Sequence, residues 1–261
     1  MEGTFYTPSP PVVEGTFYTP SPFGGRLGWG RLGDHMNIKK NVTTIREMIH
    51  QYEAVYSRDP GSVALLGATK GQSVEKMREA IEAGHYIFGE NYVQEALIKQ
   101  EALNDKNIQW HFIGAIQSNK AKKIAEHFDW VQSIDSLKVL ESLSAHRPDN
   151  LPPLNICLEI NISNEPTKAG LLPNEILPLA EKCLEFKKLN LRGLMAIPAP
   201  KLDFDHQRQQ FKKIRQLFDG LVEKGFKLDT LSMGMSNDME AAIAEGATMV
   251  RIGTNLFGPR Q

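Results

Sequence analysis

Val63-Ala-Leu-Leu-Gly-Ala-Thr-Lys70 is a short apolar run that ends in a lysine, and Ser73 then opens a helical pattern that Gly84 closes. An apolar run of this length is typical of a strand that is buried on both faces. The two patterns together predict a strand followed by a helix, with Lys70 at the carboxyl end of the strand.

The same alternation continues along the chain. An amphipathic helix is predicted over residues 37–57, and eight apolar runs follow at 63–69, 86–88, 108–113, 130–134, 154–162, 189–197, 228–232 and 248–252. Because helical stretches separate the runs, the strands should pair in parallel. Eight such units predict an α/β protein with a single-domain (β/α)₈ TIM barrel. A doubly wound open sheet is the alternative, although Gly67-Ala-Thr-Lys-Gly71 lacks the GxGxxG pattern of that fold.

The first 35 residues differ in composition from the rest of the chain. Glu2-Gly-Thr-Phe-Tyr-Thr-Pro-Ser-Pro10 recurs word for word from Glu14 to Pro22, and a glycine-rich stretch follows from Gly24 to Gly33. Segments of this kind without apolar periodicity cannot bury a core. We expect residues 1–35 to be a disordered extension or a mis-assigned start, with a short linear motif as the alternative. The barrel is expected to occupy residues 36–261.

Charge and cysteine content exclude several classes of function. The chain has 261 residues, of which 30 are basic and 31 acidic, and it has no dense block of Lys and Arg. This balance gives no reason to expect nucleic acid or an anionic membrane as a partner. No apolar stretch of membrane-spanning length and no signal-peptide pattern is present. Cys157 and Cys183 lack CxxC spacing and nearby ligand partners, which predicts buried free thiols in a reducing cytoplasm and no metal site.

Polar residues stand where the predicted strands end. A TIM barrel gathers its site at the carboxyl ends of the strands, and the loops after strands seven and eight commonly hold phosphate. The polar residues in these places are Lys70, Glu90, Asn91, Gln117, Ser118, Asn161, Ser236, Arg251 and Thr254.

Two tracts indicate a phosphate site. Ser236 leads into Asn237, which is predicted to cap a helix with Glu240 three residues later, so that free backbone N–H groups face the barrel mouth. Gly253 lets the backbone approach an anion, and Thr254 adds a hydroxyl donor beside it. Burial disfavours the charged form of a lysine amine, and the neutral amine is the form that attacks an aldehyde. Together with Lys70, these tracts predict a phosphorylated aldehyde as the ligand, and a Schiff-base aldolase acting on a sugar phosphate remains open.

Five tracts, in order along the chain, resemble the pyridoxal phosphate homeostasis proteins, also called the proline synthase co-transcribed homologues. The tracts are Phe88-Gly-Glu-Asn-Tyr92, Trp110-His-Phe-Ile-Gly114 with Gln117-Ser-Asn-Lys120, Arg192-Gly-Leu-Met-Ala-Ile-Pro198, Ser232-Met-Gly-Met-Ser236 with Asp238-Met-Glu240, and Met249-Val-Arg-Ile-Gly-Thr254 with Phe257-Gly258. The resemblance covers Asn37 to Arg260. It implies a fold-type III barrel of the alanine racemase N-terminal type, which binds pyridoxal 5′-phosphate (PLP) through an internal aldimine.

The resemblance also implies a role for each site residue. Lys70 would form the aldimine, Arg251 would face the pyridine nitrogen, and Asn91 would lie near the ring. The residues implied to hold phosphate are Ser236, Gly253 and Thr254. The tract Gly-Ala-Thr-Lys70 departs from the usual Ala-Val-Ser-Lys of the family, which puts no predicted role in doubt. An arginine cannot accept a proton, so the pyridine nitrogen would stay unprotonated and carbanion chemistry would be weak.

We therefore predict a PLP carrier that maintains intracellular PLP (vitamin B6) homeostasis without robust catalytic turnover. It is expected to be monomeric and cytoplasmic, with apo PLP-dependent enzymes as candidate recipients and no catalytic residue of its own. A slow PLP-dependent amino-acid racemase is the alternative, since alanine racemases also place an arginine at the pyridine nitrogen. Such racemases add a β-domain whose tyrosine supplies a second base, and we expect that domain to be missing because the chain ends at Gln261.

The tract Ile108-Gln-Trp-His-Phe-Ile113 carries two conspicuous rings, those of Trp110 and His111. In a strand, neighbouring side chains point to opposite faces. One ring should therefore face the barrel interior while the other packs against the helices, and a packing role is favoured over stacking on a cofactor.

Overall fold

The computed structural model of the chain describes residues 37–162, 169–200 and 203–260. Within these ranges the strands are β1 Ala64–Ala68, β2 Ile87–Glu90, β3 Gln109–Phe112, β4 Trp130–Ile134, β5 Leu154–Ile160, β6 Leu189–Ala196, β7 Thr230–Ser232 and β8 Met249–Ile252. The helices are α1 Ile38–Val55, α2 Val74–Glu82, α3 Val93–Leu103, α4 Ala121–His127, α5 Leu137–His146, α6 Pro173–Cys183, α7 Phe204–Glu223, α8 Met239–Ala244 and α9 Thr254–Phe257. The predicted extension, residues 1–35, lies outside the described ranges.

The sheet closes on itself. Each strand pairs in parallel with the next one along the chain, and β8 pairs with β1 with Leu66 opposite Arg251. The predicted barrel is therefore confirmed. The open doubly wound alternative is wrong, because an open sheet has two unpaired edges and these strands have a partner on both sides.

Local sequence explains why the elements form where they do. The Asn37 side chain caps α1 by accepting the N–H of Lys40, and Ser73 caps α2 in the same way. Every residue of β4 is buried, as expected of a strand that lies between the barrel interior and a layer of helices. Side chains of a strand alternate between these two sides.

The helix after β7 starts one residue later than predicted. The sequence predicts Asn237 as its cap, and this prediction is wrong because Asp238 is the N-cap of α8. The Asp238 carboxylate does not cap the helix but accepts the N–H of Met235. The chain therefore makes a turn over Met235 to Asp238 before α8 begins, and Glu240 accepts a hydrogen bond from the Tyr56 hydroxyl at 2.9 Å.

Every helix in residues 37–162, 169–200 and 203–260 is too short or too polar to span a lipid bilayer. The same ranges hold no group of three or more His, Cys, Asp or Glu side chains placed to bind a metal ion.

His85 is a buried imidazole in the layer between the barrel and the helices. Its ring meets that of Phe88 edge to face at 5.1 Å, and its Nε2 atom has no hydrogen-bond partner among the described residues. Burial lowers the pKa of His85 from 6.5 to about 4. The imidazole is therefore neutral in the folded protein at neutral pH.

We expect His85→Leu to weaken the pH dependence of stability. Between pH 6.5 and about pH 4 the unfolded chain takes up a proton at His85 that the folded protein does not, so stability falls as the pH falls through this window. The loss is about 1.4 kcal/mol per pH unit for one such group. Leucine removes both this titration and the unpaired Nε2 atom. Urea unfolding of both proteins across the window measures the difference, and an identical pH dependence would contradict the prediction.

Candidate functional site

The predicted site residues lie at one end of the barrel. Lys70 and Asn91 follow β1 and β2, Arg251 belongs to β8, and Ser236 follows β7. The strands β7, β8, β1 and β2 are consecutive around the barrel. The structure thus places all six predicted residues, which include Gly253 and Thr254 directly after β8, along one continuous arc of the mouth.

Lys70 lies at the rim of this mouth and is partly exposed. Its Nζ atom is 4.6 Å from the centroid of the Tyr92 ring, which comes from the segment after β2. A cation over an aromatic face is attracted by the negative charge of that face. Tyr92 therefore holds the amine near the mouth, and this contact was missed because sequence spacing does not show which side chains meet across a barrel.

Arg251 is buried and points across the barrel interior from β8. Its Nη1 atom donates to both the carbonyl and the hydroxyl oxygen of Ser232 at 2.8 Å, and its Nη2 atom donates to the Ala196 carbonyl at 2.9 Å. Burial lowers the pKa of Arg251 to about 10, while Asp238 and Glu159 oppose this shift. The guanidinium stays positive at neutral pH and is fixed by contacts to two other strands.

A chain of hydrogen bonds continues from Arg251 through the barrel interior. The Ser232 hydroxyl donates to Gln132 Oε1 at 2.6 Å, and Gln132 Nε2 donates to His111 Nδ1 at 2.9 Å. His111 Nε2 then donates to Gln109 Oε1 at 2.9 Å. Burial lowers the pKa of His111 to about 3, so its ring is neutral and can accept at Nδ1 while it donates at Nε2. The orientation of Arg251 is thus supported by side chains from two further strands, β4 and β3.

The two rings of the β3 tract face opposite sides, as strand alternation predicts. His111 is in the interior and stacks on Trp130 with ring centroids 5.1 Å apart. Trp110 lies 6.2 Å from Phe88, with which it shares the outer layer. Both rings are buried inside the protein, and the sequence reasoning missed that His111 belongs to the hydrogen-bonded chain of Arg251.

The loop after β7 brings Ser236 to the mouth. Ser236 lies in the turn between Met235 and Asp238, whose N–H donates to the Met235 carbonyl at 3.1 Å. Gly234 precedes this turn with φ +96°, and a Cβ there would lie 2.5 Å from the Ala242 side chain. Only glycine accepts this backbone and this close approach to α8.

The loop after β8 lies beside the end of β1. Gly253 is the N-cap of α9, and a Cβ on it would lie 3.3 Å from the Ala68 carbonyl oxygen. Thr254 follows in an exposed position with its hydroxyl. The N–H groups of Leu256 and Phe257 donate to the Gly253 carbonyl at 2.9 Å, so the N–H groups of Thr254 and Asn255 are the ones that the helix itself leaves for an anion. The Gln72 amide donates to the Gly258 carbonyl at 2.9 Å and so ties the loop after Lys70 to this segment. The donor set and the narrow backbone approach fit a phosphate group.

Asn91 lies on the other flank of Lys70. Its Nδ2 atom donates to the Ile113 carbonyl at 3.4 Å, and a Cβ at Gly114 would collide with the Asn91 backbone. The segment after β2 is therefore packed tightly against the segment after β3. The structure places Asn91 at the mouth, with its amide engaged by the neighbouring loop.

Two acidic residues on the far side of the mouth, Glu159 and Asp135, were not predicted as site residues. Glu159 belongs to β5, and burial raises its pKa to about 7, with a further contribution from the negative charge of Asp135. The positive charge of Arg251 acts in the opposite direction and lowers the pKa of Glu159. The sequence concealed Glu159 because it stands inside an apolar run, where an acidic side chain carries no spacing signal.

Three charged residues form a cluster behind Lys70, in which Lys99 and Glu90 are buried and Glu95 is partly exposed. Glu95 and Lys99 are four residues apart on α3, a spacing that is typical of an exposed surface pair. Their spacing therefore does not indicate that the pair contacts residues 69–71, the loop that carries Lys70.

A protein-family model described as "Alanine racemase, N-terminal domain" matches residues 34–261. The alanine racemase of Clostridium difficile has a similar fold, with a TM-score of 0.69 at 16% identity over 85% of this chain and 56% of that chain. The class of protein is thus the alanine racemase N-terminal barrel.

Nearer relatives narrow the class. The pyridoxal phosphate homeostasis protein of Pseudomonas aeruginosa is 50% identical over 223 residues, which cover 85% of this chain and 96% of that protein. The protein of the same name from Escherichia coli K12 is 44% identical over 227 residues, covering 86% and 97%. The structure of PipY from Synechococcus elongatus PCC7942 with PLP bound has a TM-score of 0.75 at 35% identity and covers 85% of this chain and 100% of that chain. The chain belongs to the pyridoxal phosphate homeostasis protein family, which confirms the resemblance found in the sequence.

Proposed function

We propose that this protein binds PLP covalently on Lys70 and serves as a carrier that maintains intracellular PLP homeostasis. The observation that carries the proposal is the closeness of Gly253 to Ala68, because it sets an anion-binding loop beside the end of the strand that leads to Lys70. The PLP bound to PipY and the shared name of the curated relatives support the same ligand.

Each predicted residue has a distinct task in this proposal. PLP supplies an aldehyde that condenses with a primary amine, with loss of water, and an electron-accepting ring. Lys70 provides the amine at the rim. Arg251 would face the pyridine nitrogen, and Asn91 would lie near the ring. Ser236, Gly253 and Thr254 would hold the phosphate.

The charge of Arg251 would limit carbanion chemistry on a bound ring, but it does not by itself separate a carrier from a racemase. The guanidinium is positive, fixed by three hydrogen bonds, and has no atom that accepts a proton. A pyridine nitrogen facing it stays unprotonated, which makes the ring a poor electron sink for carbanions. We therefore propose that the protein holds PLP without robust turnover of amino acids.

We propose that apo PLP-dependent enzymes receive the cofactor, and that the protein acts as a monomer in the cytoplasm. Cys157 and Cys183 are buried free thiols, which suits a reducing compartment. Residues 36–261 are proposed to form the PLP-binding domain, with residues 1–35 as a separate extension.

Borohydride trapping tests the proposed function. The wild-type protein, incubated with PLP, is expected to show a visible absorbance band, and reduction should leave one label per chain on the peptide that contains Lys70. A label on another residue, or none, would reject the proposal.

Turnover assays distinguish the alternatives to a carrier. PLP-loaded protein is expected to racemise L-alanine no faster than free PLP does. Racemisation that disappears in Lys70→Ala would instead identify a racemase, and a colourless protein that cleaves a sugar phosphate would identify an aldolase.

A further inference from the structure

Lys99 is a buried ammonium group with a complete set of acceptors. Its side chain is about 5% exposed, and its Nζ atom donates to the Thr69 carbonyl at 2.6 Å, to Glu90 Oε1 at 2.7 Å and to Glu95 Oε1 at 2.6 Å. An ammonium group has three N–H donors, and all three are used here. The position of the ammonium group is therefore closely defined. We call Lys99, Glu90 and Glu95 together the Lys99 cluster.

The Lys99 cluster holds the residues on both sides of Lys70. On one side, the Thr69 carbonyl accepts from Lys99 and the Thr69 hydroxyl donates to Glu90 Oε1. On the other side, the Gly71 N–H donates to Glu95 Oε1 at 2.7 Å. Gly71 has φ +66°, a conformation that glycine adopts readily. The two neighbouring residues of Lys70 are thus fixed by one set of charges.

The direction of the side chains follows from this arrangement. Thr69 is fully buried and points outward from the barrel into the Lys99 cluster. Lys70 follows in a turn that the Gln72 N–H closes by donating to the Thr69 carbonyl at 2.9 Å, and the Lys70 Nζ atom lies over the Tyr92 ring at the mouth, 4.6 Å from its centroid. Side chains of a helix tilt towards its N-terminus, and the N-terminus of α3 lies at the mouth end, so Lys99 reaches back towards the lysine loop.

The cluster depends on the charge of Lys99. Glu90 is fully buried, and its second oxygen, Oε2, has no hydrogen-bond partner among the described residues. Burial raises the pKa of Glu90, while the Lys99 ammonium opposes this shift. Without Lys99, a buried carboxylate would lose its counter-charge, and the loop would lose the donor to the Thr69 carbonyl.

We infer that Lys99 is a positioning residue that, with Glu90 and Glu95, holds residues 69–71 so that the Lys70 amine is presented to an aldehyde in the mouth. The inference rests on the proposed function, because it assigns a role in the capture of PLP by Lys70. A reacting group that is displaced by about 1 Å can lose about 100-fold in rate. Lys99 is therefore expected to control the rate of capture without touching the cofactor.

Arg147 offers a matched control for a purely structural role. It is 3% exposed, and its guanidinium donates to the carbonyls of Pro152 at 2.9 Å, Ala125 at 2.7 Å and Phe128 at 2.8 Å. These residues precede β4 and β5, so they lie at the end of the barrel opposite to the mouth. Arg147 is thus a buried cation that fixes loop carbonyls, as Lys99 does, but far from Lys70.

The experiment compares Lys99→Met with Arg147→Met in the full chain. Both variants should unfold at a lower temperature than the wild type. Only Lys99→Met should increase the hydrogen-exchange rate of the Gly71 amide in cofactor-free protein, by about tenfold or more. Only Lys99→Met should slow the capture of PLP, by about 10- to 100-fold. Equal effects of the two variants on capture would overturn the inference.

A second pair of variants covers the case in which Lys99→Met does not fold. The Glu95 side chain is 27% exposed, so its replacement is tolerated better than that of Glu90. Glu95→Ala removes the acceptor of the Gly71 N–H and should speed exchange and slow capture, whereas Glu95→Gln keeps an acceptor oxygen and should restore both. Unchanged exchange and capture in Glu95→Ala would overturn the inference, while wild-type labelling on Lys70 would still uphold the proposed function. Wild-type protein without a label on Lys70 would overturn both.

Discussion

Lys70→Ala is expected to abolish the visible absorbance of the PLP-loaded protein and all borohydride labelling of the chain. Lys70 is the proposed source of the amine, so its removal prevents the covalent bond. The segments around Ser236 and Gly253 remain, so PLP should still bind without a covalent bond. We expect the affinity to fall by about 100-fold, which corresponds to about 2.8 kcal/mol.

Lys122→Ala is the control for this result. Lys122 is an exposed lysine on α4 whose Nζ atom is 3.8 Å from Glu126. An exposed pair of this kind contributes little to stability. The variant should therefore keep the absorbance band, the label and the affinity of the wild type. Equilibrium dialysis measures the affinity, and labelling that persists in Lys70→Ala would contradict the assignment of the amine.

Gly193→Ala is expected to destabilise the fold strongly. Gly193 pairs with Thr230 between β6 and β7, and an added Cβ would collide with the Thr230 carbonyl oxygen. The obstacle is backbone and cannot rotate away. The register between β5 and β6 also shifts at this point, between the pairs that end at Leu191 and begin at Gly193. We expect a loss of about 4 kcal/mol or more in the free energy of unfolding, measured by urea titration.

Gly220→Ala provides the opposite expectation for the same chemical change. Gly220 lies within α7, and an added Cβ would have nothing within 4 Å. Alanine is favoured over glycine inside a helix, so this variant should gain about 0.5–1 kcal/mol. Similar stabilities of the two variants would show that the contact between β6 and β7 relaxes at little cost.

The fold was predictable because its signals are local. Each apolar run and each helical pattern is a property of a short segment, and β4 coincides with the predicted run 130–134. The start of α8 was missed because Asn237 lies within a turn that Asp238 closes, with the Asp238 N–H donating to the Met235 carbonyl and the Asp238 carboxylate accepting the Met235 N–H.

The site was only partly predictable. Motif positions brought out Lys70 and Arg251, since both stand at the ends of apolar runs. Gln132 lies inside such a run, and Lys99 lies inside a helical pattern, so neither carries a signal along the chain. Their partners are Ser232, 100 residues away from Gln132, and Thr69, 30 residues away from Lys99. These contacts exist only after the barrel has closed.

The chain of hydrogen bonds below Arg251 runs in a single direction. An arginine only donates, so the Ser232 hydroxyl accepts from Arg251 and donates its hydrogen to Gln132 Oε1. Gln132 Nε2 then donates to His111 Nδ1, so His111 carries its hydrogen on Nε2. A carboxylate in place of Arg251 would draw the Ser232 hydroxyl towards itself and leave the Gln132 oxygen without a donor. A carboxylate at position 251 would thus require a rebuilt interior, so the direction of this chain commits position 251 to a side chain that only donates.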